Sequence, residues 1–100
     1  RASEAAIWEL VALQLRILSA GAAATAPGGV LTYSVCTISR HEGDRLISRF
    51  LAENPAFAAD DLGAEHPAWR DAHDPRHLQL RPDRDLTDGF FVARLRRGQG

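Results

Sequence analysis

Two adjacent glycines, Gly28 and Gly29, release the chain into Val30-Leu31-Thr32-Tyr33-Ser34-Val35, and this run of β-formers stops at Cys36, the single cysteine among 100 residues. A short, nearly uninterrupted apolar run predicts a strand buried on both faces, as in parallel sheets. Ser39-Arg40-His41-Glu42 follows with the S-x-x-E form of a capping box, which announces a helix. Cys36 is therefore expected at the carboxyl end of a buried strand, just before a helix N-terminus. In open α/β sheets, ligands bind at that edge. The expected fold class is α/β.

One hundred residues make one small domain, which buries roughly 60–65% of its unfolded surface. A hydrophobic share of 45% is that of an ordinary globular chain rather than a disordered one. The net charge of −1 offers no global attraction to nucleic acid or to a membrane surface. All 12 basic residues are arginines, a choice that suits phosphate and carboxylate forks and that a GC-rich genome would equally produce. Methionine is absent, which leads us to expect a piece of a longer chain. No run of about 18 apolar residues is evident, so no membrane span is expected, and the N-terminus lacks the order of a signal peptide. A lone cysteine forms no internal disulfide and fits a reducing, cytoplasmic compartment.

Ahead of the glycines, Ser3 is an expected N-cap, with Glu4 at the positive end of the helix dipole. Ile7, Leu10, Val11, Leu15, Ile17 and Leu18 then recur at helical spacing, and the broad face suggests packing against a sheet. Gly21 should weaken the helix end and Pro27 close it. After Cys36, a second helix is expected over residues 40–53, with Leu46, Ile47, Phe50 and Leu51 as its buried stripe and Asn54-Pro55 as its stop. Phe57 predicts a short extended segment. Residues 60–76 read as a long loop anchored by Trp69. Residues 77–81 and 90–95 predict an antiparallel hairpin turned at Pro82-Asp83-Arg84-Asp85, followed by a tail.

On the residues alone, Cys36 has two readings. It could be a small core hydrophobe, or a nucleophile whose thiol pKa, about 8.5 when free, is lowered by a neighbouring helix start. His66, His73 and His77 imitate metal-ligand spacing, but no Cys-x-x-Cys or His-Glu-x-x-His accompanies them, so solvated loop histidines and no metal are expected. Pro27-Gly28-Gly29 precedes a strand, whereas phosphate-binding glycines follow one and open a helix. No G-x-G-x-x-G is present, so a nucleotide or sulfonium cofactor would be held elsewhere. In Thr87-Asp88-Gly89-Phe90-Phe91, the plain reading is a turn leading into a core strand. The alternative sets Asp88 at a site edge and a phenylalanine as the wall of a base pocket.

Pro27-Gly28-Gly29-Val30-Leu31-Thr32-Tyr33-Ser34-Val35-Cys36-Thr37, then Glu42, then Phe50-Leu51-Ala52-Glu53-Asn54-Pro55, resembles the C-terminal part of Sun-type RNA cytosine-5 methyltransferases. Thr87-Asp88-Gly89-Phe90-Phe91-Val92-Ala93-Arg94-Leu95 is similar to that family's closing strand. Leu13-Gln14 and Ile17-Leu18 are similar to the helix before its cysteine strand. Only residues 60–76 fall outside the likeness.

The resemblance implies the second half of a Rossmann-like methyltransferase sheet over residues 1–97, with 98–100 as a tail. It also implies a parent enzyme that methylates cytosine carbon 5 in RNA, with 16S ribosomal RNA as the expected substrate, using S-adenosylmethionine. Cys36 is then the nucleophile. Carbon 5 of cytosine is itself a weak nucleophile, and addition of a thiolate at carbon 6 converts the ring into an enamine-like species. Thr37, Asp88 and Phe90 are implied near the substrate. Val35 and Gly43 depart from the family's threonine and asparagine. The family's cofactor loop and Pro-Cys motif are missing here, so the isolated piece is expected to be inactive and to bind no cofactor alone. The expected partners are ribosomal RNA and, through an exposed sheet edge, a second copy. The rival reading is a non-catalytic RNA-binding or scaffold module with an inert core cysteine.

Overall fold

The computed structural model describes residues 4–85 and 88–99; the expected N-cap Ser3 lies outside them. Helix α1 (Glu4–Ala24) leads through the glycine turn into β1 (Val30–Val35), and α2 (Asp44–Glu53) leads into β2 (Phe57–Ala59). A short helix α3 (Leu62–Glu65) and a 3-10 turn (Pro67–Trp69) follow, then β3 (Leu78–Leu80), the one-turn helix α4 (Pro82–Asp85) and β4 (Phe90–Arg97).

The strand at the centre of the sheet is the last one. β4 pairs antiparallel with β1 along one edge, and along the other with β2 near its end and β3 near its start. The expected hairpin is present as Leu78↔Val92 and Leu80↔Phe90. The pairing of β4 with the cysteine strand has no local signal, because the two lie at opposite ends of the chain. At its far end the ladder closes on the glycine turn. Gly28 donates to the Arg97 carbonyl at 2.9 Å, and Arg97 donates back to the Gly29 carbonyl at 2.9 Å. Gly28 has φ +79°, a conformation that costs a glycine little. Arg96 and Arg97, read as tail, are therefore strand.

Both long helices cover the same face of this sheet. Leu31, Tyr33 and Val35 sit opposite Leu95, Ala93 and Phe91, and these meet Val11, Leu18 and Ala22 of α1 and Leu46, Ile47 and Phe50 of α2 in one core. β1 is consequently not buried on both faces, as its unbroken apolar run predicts. Only Tyr33 is fully buried, and Val30, Thr32 and Ser34 point to solvent. Among the described residues its outer edge has no partner strand. On the opposite face, Arg94 and Arg96 both reach Asp60 at 2.8 Å. Arg96 and then Arg94 hold that carboxyl below its usual range.

Several other expectations are corrected. α2 begins at Asp44 rather than at position 40, with Gly43 as N-cap and no side-chain cap. The Ser39–Glu42 stretch forms a turn instead, with the Glu42 N–H donating to the Ser39 carbonyl. α1 runs through Gly21 and ends at Ala24, ahead of Pro27; a Cβ at Gly21 would stand 2.8 Å from Leu31 Cδ1, so the glycine admits a close helix–strand approach. α1 is long and apolar enough to cross a bilayer by length and composition alone, and in this fold its Val11, Leu18 and Ala22 pack into the core. Trp69 does not anchor its loop: it is 38% exposed and stacks on His66. Leu62, Gly63, Asp71 and His77 are buried there. His77, expected to be solvated, is completely buried against Phe91.

Candidate active site

The register of β1 on β4 assembles the site. Val35 faces Phe91, so the ladder delivers Cys36 and Thr37 to the end where Gly89 and Phe90 enter β4. The approach is backbone to backbone. A Cβ on Gly89 would lie 2.5 Å from Ile38 Cγ2 and 3.3 Å from the Thr37 carbonyl carbon. The two stretches singled out in the sequence, 50 residues apart, are thus one feature.

The loop after Cys36 is held by its own polar groups. The Thr37 N–H donates to the Val35 carbonyl at 3.1 Å, and the Thr37 hydroxyl accepts the Ser39 N–H at 2.9 Å while pointing at Glu42 Oε2 at 3.4 Å. Tyr33 donates to the Glu42 carbonyl at 2.6 Å, and its hydroxyl also meets the side chain of Gln14 on α1. Burial, and then the Glu42 carboxylate, push the Tyr33 hydroxyl pKa well up, so it is a permanent donor. Glu42 therefore joins α1, β1 and the Cys36 loop instead of closing a capping box. From β3, Gln79 Nε2 donates to the Thr37 carbonyl at 2.9 Å.

Within this frame Cys36 is exposed and lies outside the core that the described residues form. The helix start expected beside it stands further along the chain, at Asp44. Asp88 is exposed, Phe90 is half-buried, and Phe91 alone of the two phenylalanines is a core residue.

Beside the loop lies a small cavity of about 70 Å³ whose lining includes Ile38, Gln79 and four arginines. Sequence reasoning missed it, because Arg40, Arg70, Arg81 and Arg84 come from separate segments with no common spacing. Asp44, Asp71 and His73 in the same wall have ligand atoms within 4.8 Å of one another. Asp44, however, accepts Nε and Nη2 of Arg40 at 3.1 and 2.9 Å. Guanidiniums on every side make this a poor place for a cation. Of the histidines weighed for metal, His77 is sealed in the core, with Nε2 3.3 Å from Asp74 Oδ2 and neither ring nitrogen hydrogen-bonded. Burial pushes its pKa down.

The family described as 16S rRNA methyltransferase RsmB/F matches residues 1–96. Ribosomal RNA small subunit methyltransferase B of Thermus thermophilus is 40% identical over 89 residues, covering 88% of this chain and 21% of that protein. Ribosomal RNA small subunit methyltransferase F of Aeromonas hydrophila is 38% identical over 91 residues, covering 89% of this chain and 19% of that protein. The crystal structure of PH0851 superposes with a TM-score of 0.86 at 33% identity, covering 95% of this chain and 21% of that one. The chain spans about a fifth of the length of the curated relatives it matches.

Proposed function

The chain belongs to the 16S rRNA methyltransferase RsmB/F family, and from that premise we propose that it is the nucleophile-bearing part of an enzyme that methylates carbon 5 of cytosine in small-subunit ribosomal RNA. The observation that carries this reading is the exposed thiol of Cys36, set at a strand end against the Gly89–Phe90 segment. A thiolate must reach its substrate to act, and an inert structural cysteine has no need of that exposure.

The Cys36 thiolate adds to carbon 6 of cytosine. A carbon–sulfur bond forms, and the π pair of the 5,6 double bond moves to make carbon 5 nucleophilic. After methyl transfer a base held by the rest of the parent takes the carbon 5 proton, the C–H pair re-forms the 5,6 double bond, and the carbon–sulfur pair leaves with the thiolate, so one difficult substitution becomes easier steps. The half-buried Phe90 ring is assigned as a wall for the base and the exposed Asp88 as its rim. Thr37, with its hydroxyl engaged by Ser39 and Glu42, positions the loop from beneath.

S-adenosylmethionine would supply the methyl group to the parent enzyme. We infer that its cradle is built elsewhere in the parent. Gly28-Gly29 precede β1, and among the described residues no glycine-rich turn joins a strand end to a helix start. We assign the cofactor, and with it the methyl-transfer step, to the rest of the parent in a cytoplasmic setting, and this chain alone to inactivity.

The test is covalent trapping. The intact parent, incubated with S-adenosylmethionine and RNA containing 5-fluorocytosine, whose carbon 5 has no proton to lose after methyl transfer, should form a denaturation-resistant adduct that maps to Cys36. An adduct at another residue, or retained trapping by Cys36→Ala, would overturn the assignment.

A further inference from the structure

We propose that the arginine-lined cavity beside the Cys36 loop, walled by Arg40, Arg70, Arg81 and Arg84, holds a backbone phosphate of the RNA strand whose cytosine is presented to Cys36. The inference rests on the RNA reading above and adds the place where the strand is gripped.

Position supports it first. Ile38, two residues past Cys36, lines the cavity, as does Gln79, whose amide holds the Thr37 carbonyl. An anion seated there would be attached to the same loop that carries the thiol.

Size and charge support it next. A cavity of about 70 Å³ has room for a phosphate group. Four guanidiniums face it against the two carboxylates of Asp44 and Asp71. Arg81 and Arg84 also pair outward with Asp83 and Asp85. The Arg81–Asp83 pair is exposed on both sides and so weak, which leaves its donors open to a phosphate, whereas Arg84 is held by Asp85 and by the Gln79 carbonyl at 2.6 Å and adds charge to the wall. Arg70 donates from Nε and Nη2 to the Gly63 carbonyl and faces no carboxylate among the described ion pairs. Guanidinium forks match phosphate oxygens in pairs. Contacts of this kind position a strand without reading its sequence.

The experiment uses the intact parent and isolated small-subunit ribosomal RNA, with the dissociation constant measured across a salt series. Two variants are compared: Arg81→Gln, whose side chain hydrogen-bonds the exposed Asp83, and Arg81→Gln with Arg84→Gln. Arg16→Gln, exposed on α1 and outside the cavity, is the control. The double variant should bind roughly fivefold to tenfold more weakly, and the slope of log affinity against log salt should fall by about 0.7, the loss of one phosphate contact on a single strand. The single variant should show a smaller change in the same direction, and the control none. Folded variants with wild-type affinity and slope would overturn the phosphate site while leaving the RNA reading intact. A parent with no affinity for the RNA would overturn both. Competition by polyglutamate as effective as that by RNA would assign the cavity to acidic peptides instead.

Discussion

Gln79 on β3 donates its side-chain amide to the Thr37 carbonyl at 2.9 Å, and so ties the loop beyond Cys36 to a strand 42 residues later. The same nitrogen lies 3.1 Å from the Leu80 carbonyl and 3.3 Å from that of Phe90. One amide therefore gathers the loop, β3 and the start of β4. Gln79→Leu should cost about 1–2 kcal/mol, since partly buried carbonyls lose their donor. In the parent it should lower kcat more than it raises KM. Steady-state kinetics with a parallel thermal melt separate the two effects.

Cys36→Ala should leave the fold intact, because an exposed side chain contributes little, within about 0.5 kcal/mol. Methyl transfer by the parent should be abolished while RNA binding persists, since binding rests on charge and stacking rather than on the thiol. Wild-type turnover by a folded variant would end the nucleophile assignment.

Gly89→Ala introduces a Cβ 2.5 Å from Ile38 Cγ2 and 3.3 Å from the Thr37 carbonyl carbon. Ile38 is exposed and its side chain can give, but the Thr37 carbonyl carbon and the Ile38 nitrogen at 3.3 Å are backbone, so the loop must shift. A destabilisation of about 1–3 kcal/mol is expected. Alkylation of Cys36 by iodoacetamide should change in rate, reporting a displaced thiol, and an unchanged rate would show that the Cys36 loop is not held by this contact.

Acid should weaken the chain in two stages. His77 is buried and its folded pKa is pushed down by that burial. In the unfolded chain it takes up a proton below about 6.5, so stability declines as pH falls from there. The groups acting on it are Asp74, Arg76, Asp71 and Asp44. Asp74 is held at about 2, first by its hydrogen bond to Arg76. Its contribution is complete above the unfolded value of about 4 and is lost as pH falls through about 2. Urea unfolding at stepped pH should show both declines, and His77→Phe should remove the first one only.

The isolated 100-residue chain should self-associate. The outer edge of β1 is unpaired among the described residues, and Leu10, Leu13 and Ile17 of α1 are exposed. Open edges and apolar stripes recruit other chains. Sedimentation equilibrium should show a mass that rises with concentration, and a concentration-independent monomer would refute it.

The elements themselves were legible because their signals are local. Helical spacing from Ile7 to Leu18, the glycine turn, the β-formers up to Val35, the stripe Leu46–Ile47–Phe50 and the hairpin of residues 77–81 with 90–95 each lie within a short window. The likeness to Sun-type methyltransferases rested on two such windows. What only the tertiary structure decided is everything that joins distant windows. An apolar run cannot say whether one face or both will be covered, and placing α1 and α2 on the same side left Val30, Thr32 and Ser34 in solvent. A histidine in a polar loop reads as solvated until Phe91 and β3 close over it, as they do over His77. The S-x-x-E stretch reads as a cap until Tyr33 claims the Glu42 carbonyl. Above all, nothing near Phe91 announces that its strand will lie beside Val35. That pairing follows from burying one shared core, and it alone brings Cys36, Gly89 and the arginine cavity to one end of the sheet.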